Sequence, residues 1–241
     1  MKVYEYILSR KKMHMTLIDP DKQEPAVSAD VASRAADAGT GAIMVGGSTG
    51  VTSGLLDATV RAIKGAVDIP VIHFPTTSRA LSPNVDAIYF MSMLNSTDRR
   101  YLIGEHVKAA RYIRSSGIEA IPMGYIIVEP GMTVGRVGSA EPVPRDSPDL
   151  AADYAMAGEL LGMRMIYLEA GSGAPQPVPP EMISEVRRSI SVPLVVGGGI
   201  RTPEQASAAA RAGADVVVTG TIVEQVEEVY PTLKDIVDAI G

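Results

Sequence analysis

Short apolar runs alternate with longer amphipathic stretches along the whole chain. Eight runs have strand length, at 13–18, 41–46, 70–74, 86–91, 118–124, 164–169, 193–197 and 214–219. Several are continuously apolar, the pattern of parallel strands covered on both faces. Helical periodicity predicts helices over 25–38, 54–66, 98–116, 148–161, 180–190, 203–212 and 222–239. Pro25, Pro148, Pro180 and Pro203 fall near first turns, and Ser147 and Thr202 stand where N-caps belong. Gly39, Gly117, Gly162 and Gly213 follow helix ends, where a left-handed residue is wanted. This alternation predicts one (β/α)8 TIM barrel spanning residues 1–241 as a single domain. The third unit breaks the rhythm: residues 75–85 are too short and too interrupted by proline for a barrel helix, so the third helix is expected to be irregular or missing. Residues 128–147, rich in Gly and Pro, read as a long functional loop after the fifth strand.

Composition narrows the function classes. A length of 241 residues is close to the ~250 of one such barrel. A net charge of −6 argues against a nucleic-acid partner, which would recruit a basic stripe. The absence of cysteine excludes disulfides and thiolate metal sites. No charged-then-apolar leader opens the chain and no apolar run approaches a membrane span, so a cytoplasmic protein without a transmembrane segment is expected. Twelve Met against two Phe and no Trp suit either flexible core filling or an adaptable groove for a hydrocarbon.

In this fold the chemistry sits where strands end. Three late strands end in glycine turns: Tyr167-Leu168-Glu169-Ala170-Gly171-Ser172-Gly173, Gly197-Gly198-Gly199-Ile200-Arg201 and Thr219-Gly220-Thr221. Gly turns expose several N–H groups toward one point, which suits a phosphate. The first strand ends in Asp19 and the second leads into Ser48, two hard oxygen ligands. So few protein oxygens fit Mg²⁺, which keeps waters and takes substrate phosphates; alternatively Asp19 caps the following helix and Ser48 bonds its loop. Glu169 is placed to accept a proton from a substrate hydroxyl, or else to orient backbone or pair with Arg201. Arg201 could add charge beside a phosphate or pair with Glu204. His14 and His73 have no partner at metal-ligand spacing, and His106 is expected on a helix surface.

Around these residues the chain resembles the geranylgeranylglyceryl phosphate synthase family, relatives of the bacterial heptaprenylglyceryl phosphate synthases. The resemblance is carried by Thr16-Leu17-Ile18-Asp19-Pro20-Asp21-Lys22, Gly46-Gly47-Ser48, Met91-Ser92-Met93-Leu94-Asn95-Ser96, Pro122-Met123-Gly124-Tyr125, Tyr167 to Gly173, and Val196 to Arg201. It implies a Mg²⁺-dependent prenyltransferase that joins sn-glycerol 1-phosphate to geranylgeranyl diphosphate, opening archaeal ether-lipid synthesis, and a homo-oligomer. It implies Asp19 and Ser48 as Mg²⁺ positions and Glu169 as base. Tyr167, Leu168, Glu169, Ala170, Gly171, Ser172, Gly173, Gly198, Gly199, Gly220 and Thr221 are implied as glycerol phosphate contacts. Leu17 stands where the bacterial branch has Lys, which places the chain nearer the archaeal type. Thr221 replaces an Asn common at the last turn and keeps a hydrogen-bonding side chain.

The prenyl tail requires an apolar channel, for which the irregular third unit is an expected opening and Met91, Met93, Leu94, Tyr101 and Ile103 are candidate walls, the alternative for each being plain core. Rival readings are another prenyl chain length, a metal-free phosphate-sugar isomerase or lyase, a flavin barrel, and a phosphate-binding protein without turnover.

Overall fold

The computed structural model describes residues 1–47, 50–222 and 229–241. Eight parallel strands close a barrel in sequence order: β1 (Met13–Ile18), β2 (Ala42–Val45), β3 (Val71–His73), β4 (Ala87–Met93), β5 (Glu119–Ile127), β6 (Met165–Glu169), β7 (Leu194–Gly197) and β8 (Val216–Thr219). Closure is made by β1 on β8, pairing Met13 with Val216 and Thr16 with Thr219. The helices include α1 (Val3–Leu8), α2 (Pro25–Asp37), α3 (Ser53–Lys64), α4 (Glu105–Ser116), α5 (Met132–Val137), α6 (Pro148–Leu160), α7 (Pro180–Ser189), α8 (Pro203–Ala212) and α9 (Val229–Ile240).

Strand alternation sorts the core into two layers. On β6, Met165 and Tyr167 face the barrel interior, while Ile166 and Leu168 face the helices. Glu169 is next in the inward series. Most interior methionines, Met13, Met15, Met44, Met123 and Met165, are plain core, where unbranched side chains fill an irregular space. His14, between Met13 and Met15, faces the helix layer instead, buried and held by the Thr40 hydroxyl at 2.7 Å and the Thr219 hydroxyl at 2.9 Å. Burial pushes its pKa down to about 3, so it stays neutral.

Two elements depart from the sequence-based expectation. Helix α1 was not foreseen: it closes the barrel floor with Val3, Tyr4 and Ile7. Glu119 fastens it by accepting the Val3 and Tyr4 N–H groups at 2.6 and 3.2 Å. Inside the expected 128–147 loop lies the short helix α5. The strand boundaries shift too, β5 running three residues past its expected end to Ile127.

The irregular third connection is present as expected: residues 75–85 contain no helix. Side chains hold it instead. Asp57 on α3 accepts the Ser82 hydroxyl at 2.6 Å and the Asn84 amide at 2.7 Å. Glu105 at the start of α4 accepts the Ser78 N–H at 2.7 Å and its hydroxyl at 2.6 Å. Ahead of α4 the chain forms one π-helical turn, Arg100–Gly104, a conformation that recurs at functional sites.

Candidate active site

The strand ends converge on a cavity of about 550 Å³, within the range of small-molecule sites. Near the barrel axis its wall includes Asp19, Lys22, Tyr125, Ser172, Gly173, Gly220 and Thr221. It then extends sideways past Phe74, Met91 and Tyr101 to Phe90, His106, Ala109 and Ile113. That lateral arm runs between the third connection and α4, where a regular barrel would place a helix.

The glycine turns approach one another closely. Gly171, Gly173, Gly198 and Gly199 have φ of +100°, +77°, +82° and +75°, a region that disfavours any Cβ. At Gly198 a Cβ would overlap Glu169 Oε1 and stand 2.6 Å from Gly171 N and 2.9 Å from Ala170 N. The loops after β6 and β8 meet through the Ser172 and Thr221 hydroxyls, 2.8 Å apart. Thr221 and Ile222 are helical, so Gly220 leads into a helix start. Gly198 and Gly199 border this cluster but lie outside the cavity wall. Leu168 and Ala170 pack into the outer core, so their side chains turn away from the cavity and only their backbone remains near it.

Glu169 is buried beneath these turns. Burial raises its pKa; the Gly171 N–H, donating at 2.7 Å, and the Tyr167 and Tyr125 hydroxyls pull it back down. The carboxylate is outside the cavity wall, and Tyr125 links the two, lining the cavity while bonding Glu169. Tyr167 stays in the barrel interior, its ring 5.1 Å from Tyr125 and 5.8 Å from Phe74. Neither Glu169 nor Glu204 forms an ion pair with Arg201 among the described residues.

Asp19 faces the cavity half-buried. Burial raises its pKa against the lowering influence of the Asp21 N–H, which donates at 3.0 Å, and of Lys22. It does not cap α2, whose N-cap is Glu24. Gly47 packs so close to the Asp19 carboxylate that a Cβ there would overlap it. Such a carboxylate, short of a countercharge, fits a hard divalent cation with water and phosphate oxygens as its other ligands. Ser48 lies outside the described residues. Among the described residues no group of three or more His, Asp or Glu is gathered for a metal.

Three sequence-based expectations are corrected. His106 is buried instead of surface, 8% exposed, edge-on to Phe90 at 4.5 Å. The lateral arm draws it in from a helix face that read as solvated. Leu94 is absent from the cavity wall because it packs in the outer core, and Ile103 because it points to solvent at 50% exposure. Met91, Met93 and Tyr101 do line the cavity. Sequence reasoning assigned no role to Tyr125, Phe74 or Glu105. Tyr125 was within reach, since it continues inward from Met123 on one strand; Glu105 and Phe74 carried no signal.

The fold and this site define a class: a phosphate-type (β/α)8 barrel enzyme with an acid beneath its glycine turns and an apolar side arm. A family model described as the PcrB family matches residues 6–240, and the chain belongs to that family. It is 55% identical over 227 residues to the geranylgeranylglyceryl phosphate synthase of Thermococcus kodakarensis, covering 93% of this chain and 90% of the relative. It is 58% identical over 228 residues to that of Methanothrix thermoacetophila, covering 94% and 89%. The crystal structure of the Thermoplasma acidophilum (S)-3-O-geranylgeranylglyceryl phosphate synthase, in complex with its substrate sn-glycerol-1-phosphate, superposes with a TM-score of 0.97 at 48% identity, over 100% of this chain and 98% of that one. A tryptophan synthase alpha chain from Legionella pneumophila, TM-score 0.64 at 16% identity, shares the fold alone.

Proposed function

We propose that this chain is a prenyltransferase that joins sn-glycerol 1-phosphate to geranylgeranyl diphosphate, releasing diphosphate and forming the ether 3-O-geranylgeranylglyceryl phosphate. One observation carries the reading: a single cavity runs from the glycine turns, past Asp19, into an arm walled by Phe90, Ala109 and Ile113. A small phosphate and a long hydrocarbon need such opposite ends. Likeness to relatives so named supports the same reading.

Glycerol phosphate binds with its phosphate on the N–H groups of residues 171–173, 198–199 and 220–221, at the positive end of the helix that Thr221 enters. Tyr167, Leu168 and Ala170 contribute by holding that backbone in register. The primary hydroxyl attacks the allylic carbon of the donor, the C–O bond to diphosphate breaks, and the pair of electrons leaves with the diphosphate. Glu169 takes the hydroxyl proton, with Tyr125 bridging it to the cavity. Asp19, with Ser48, would hold Mg²⁺, which when bound neutralises charge on the departing diphosphate. Lys22 adds a positive charge on the same side. The enzyme works as one domain in the cytoplasm. Leu150, Met156, Leu160 and Leu161, exposed on and just after α6, support assembly into a homo-oligomer.

The test is product formation from labelled sn-glycerol 1-phosphate with prenyl diphosphates of increasing length, with and without Mg²⁺. A Mg²⁺-dependent prenyl ether, fastest with the C20 donor, is expected. No ether with any donor, despite glycerol phosphate binding, would refute the transferase.

A further inference from the structure

Helix α4 has two faces with different neighbours. Its inward face puts His106, Ala109 and Ile113 on the cavity wall. Its outward face, with the π-helical turn before it, presents Arg99, Ile103, Val107, Arg111 and Arg114 to solvent. Ile103 is 50% exposed and Val107 70%. Residues 99–114 hold five basic side chains against one acidic, within a chain of net charge −6. The acidic one, Glu105, is turned inward and engages Arg100 and Lys108 at 2.7 and 2.9 Å. Arg99, Arg111 and Arg114 form no ion pair among the described residues. Spacing of four and seven residues sets Val107, Arg111 and Arg114 on one stripe of the helix.

Exposed β-branched residues interleaved with uncompensated arginines are the composition of a helix that lies in a lipid interface. A second copy of this chain is the other candidate occupant. A two-fold contact through this stripe, however, would set the arginines of one copy against those of the other. An anionic surface supplies the missing countercharge. We propose that the outward face of α4 and its π-helical turn docks on an anionic lipid surface, with Ile103 and Val107 at the headgroup boundary and Arg99, Arg111 and Arg114 on lipid phosphates. The arm of the cavity lies directly behind this wall, so docking brings the apolar arm beside the phase in which a prenyl donor dissolves. Only that purpose rests on the prenyltransferase reading; the docking itself does not. With two apolar anchors the attachment is reversible.

The experiment is cosedimentation of the full chain with vesicles of phosphatidylcholine alone and of phosphatidylcholine mixed with phosphatidylglycerol. Binding is expected only to the anionic vesicles and falls as salt rises. The triple variant R99E/R111E/R114E is expected to lose at least about 100-fold in partitioning. The variant I103S/V107S is expected to lose several-fold while keeping the salt dependence. Both are expected to keep turnover of a short, water-soluble prenyl diphosphate, since none of these residues touches the cavity. Absent binding, or equal binding to both vesicle types, would overturn the proposal. So would a triple variant that binds vesicles normally but changes mass in sedimentation equilibrium, which would assign the face to a second copy. Vesicle binding without ether formation from any donor would refute the transferase and leave the docking standing.

Discussion

Gly198→Ala tests whether the site depends on the close approach of its glycine turns. Two separate costs act at this position. A non-glycine residue at φ +82° loses roughly 1–2 kcal/mol to left-handed strain. The added methyl would overlap Glu169 Oε1 and stand 2.6 Å from Gly171 N, and relieving such overpacking costs about 1–3 kcal/mol more. Together these predict a loss of about 2–5 kcal/mol, lowering Tm by on the order of 10 °C in a chain of this size. Gly117→Ala is the matched control. It has φ +74° but nothing within 4 Å of its Cβ, so it keeps the strain and lacks the clash. Both substitutions restrict the unfolded chain equally, so the difference between them isolates the contact with Glu169 and its loop. Differential scanning calorimetry gives the stabilities and titration calorimetry the affinity for sn-glycerol 1-phosphate. Gly198→Ala should weaken binding at least about tenfold, or about 1.4 kcal/mol, while Gly117→Ala leaves it unchanged. If the two variants melt together and bind alike, the packed-turn account of the phosphate site is wrong.

Glu169→Gln keeps an acceptor for the Gly171 N–H but cannot take a proton, so turnover should fall at least about 100-fold with glycerol phosphate affinity nearly unchanged; full turnover would remove Glu169 from the reaction. The same variant has a pH signature. The folded-state pKa of Glu169 lies above 4.5 because of burial, so wild-type stability contributed by this group is present below 4.5 and is lost as pH rises through the raised value. Glu169→Gln should therefore gain stability relative to wild type on going from acid to neutral pH, and parallel denaturation curves at both pH values would contradict it. Asp19→Asn should abolish the response of turnover to added Mg²⁺, and retained stimulation would free Asp19 from the metal role. Glu105→Gln weakens the charge-assisted bonds to Ser78 and Arg100, so KM for a long prenyl donor should change more than for a five-carbon one; equal effects would deny this junction of the third connection with α4 any part in holding the prenyl chain.

The barrel was legible because its signals are local. Continuous apolar runs, proline at first turns and glycine after helices each report on one element, and in-order closure then leaves little freedom. Glycine turns were legible because a run of glycine after an apolar strand marks positive φ, as at Gly198, although the Cβ space denied there is taken by the sequence-distant Glu169 and Gly171. What escaped depends on sequence-distant contacts. Helix α1 is only six residues long, too short to show periodicity, and it exists because Glu119 receives its first N–H groups 116 and 115 positions away. His106 looked solvated because charged residues neighbour it on the helix; its burial comes from direct edge-on contact with Phe90 of β4. Ile103 misled in the opposite sense, since a π-helical turn shifts the face that ordinary helical spacing would assign.

The missing third helix connects these observations physically. A helix there would cover β3 and β4 and fill the space the lateral arm now occupies. Its replacement, residues 75–85, buries Ala80 and Val85 in the outer core and is tied down by Asp57 from one side and Glu105 from the other. Glu105 also gathers Arg100 and Lys108; burial raises its pKa, but the two Ser78 hydrogen bonds, followed by those from Lys108 and Arg100, push it well below the usual carboxylate range. One carboxylate thus binds the substitute segment to the π-helical turn and the first turn of α4, the same elements whose inward side walls the arm. The seam is fastened by polar bonds over an apolar floor, beside the strand ends that carry Asp19 and Glu169 rather than among them.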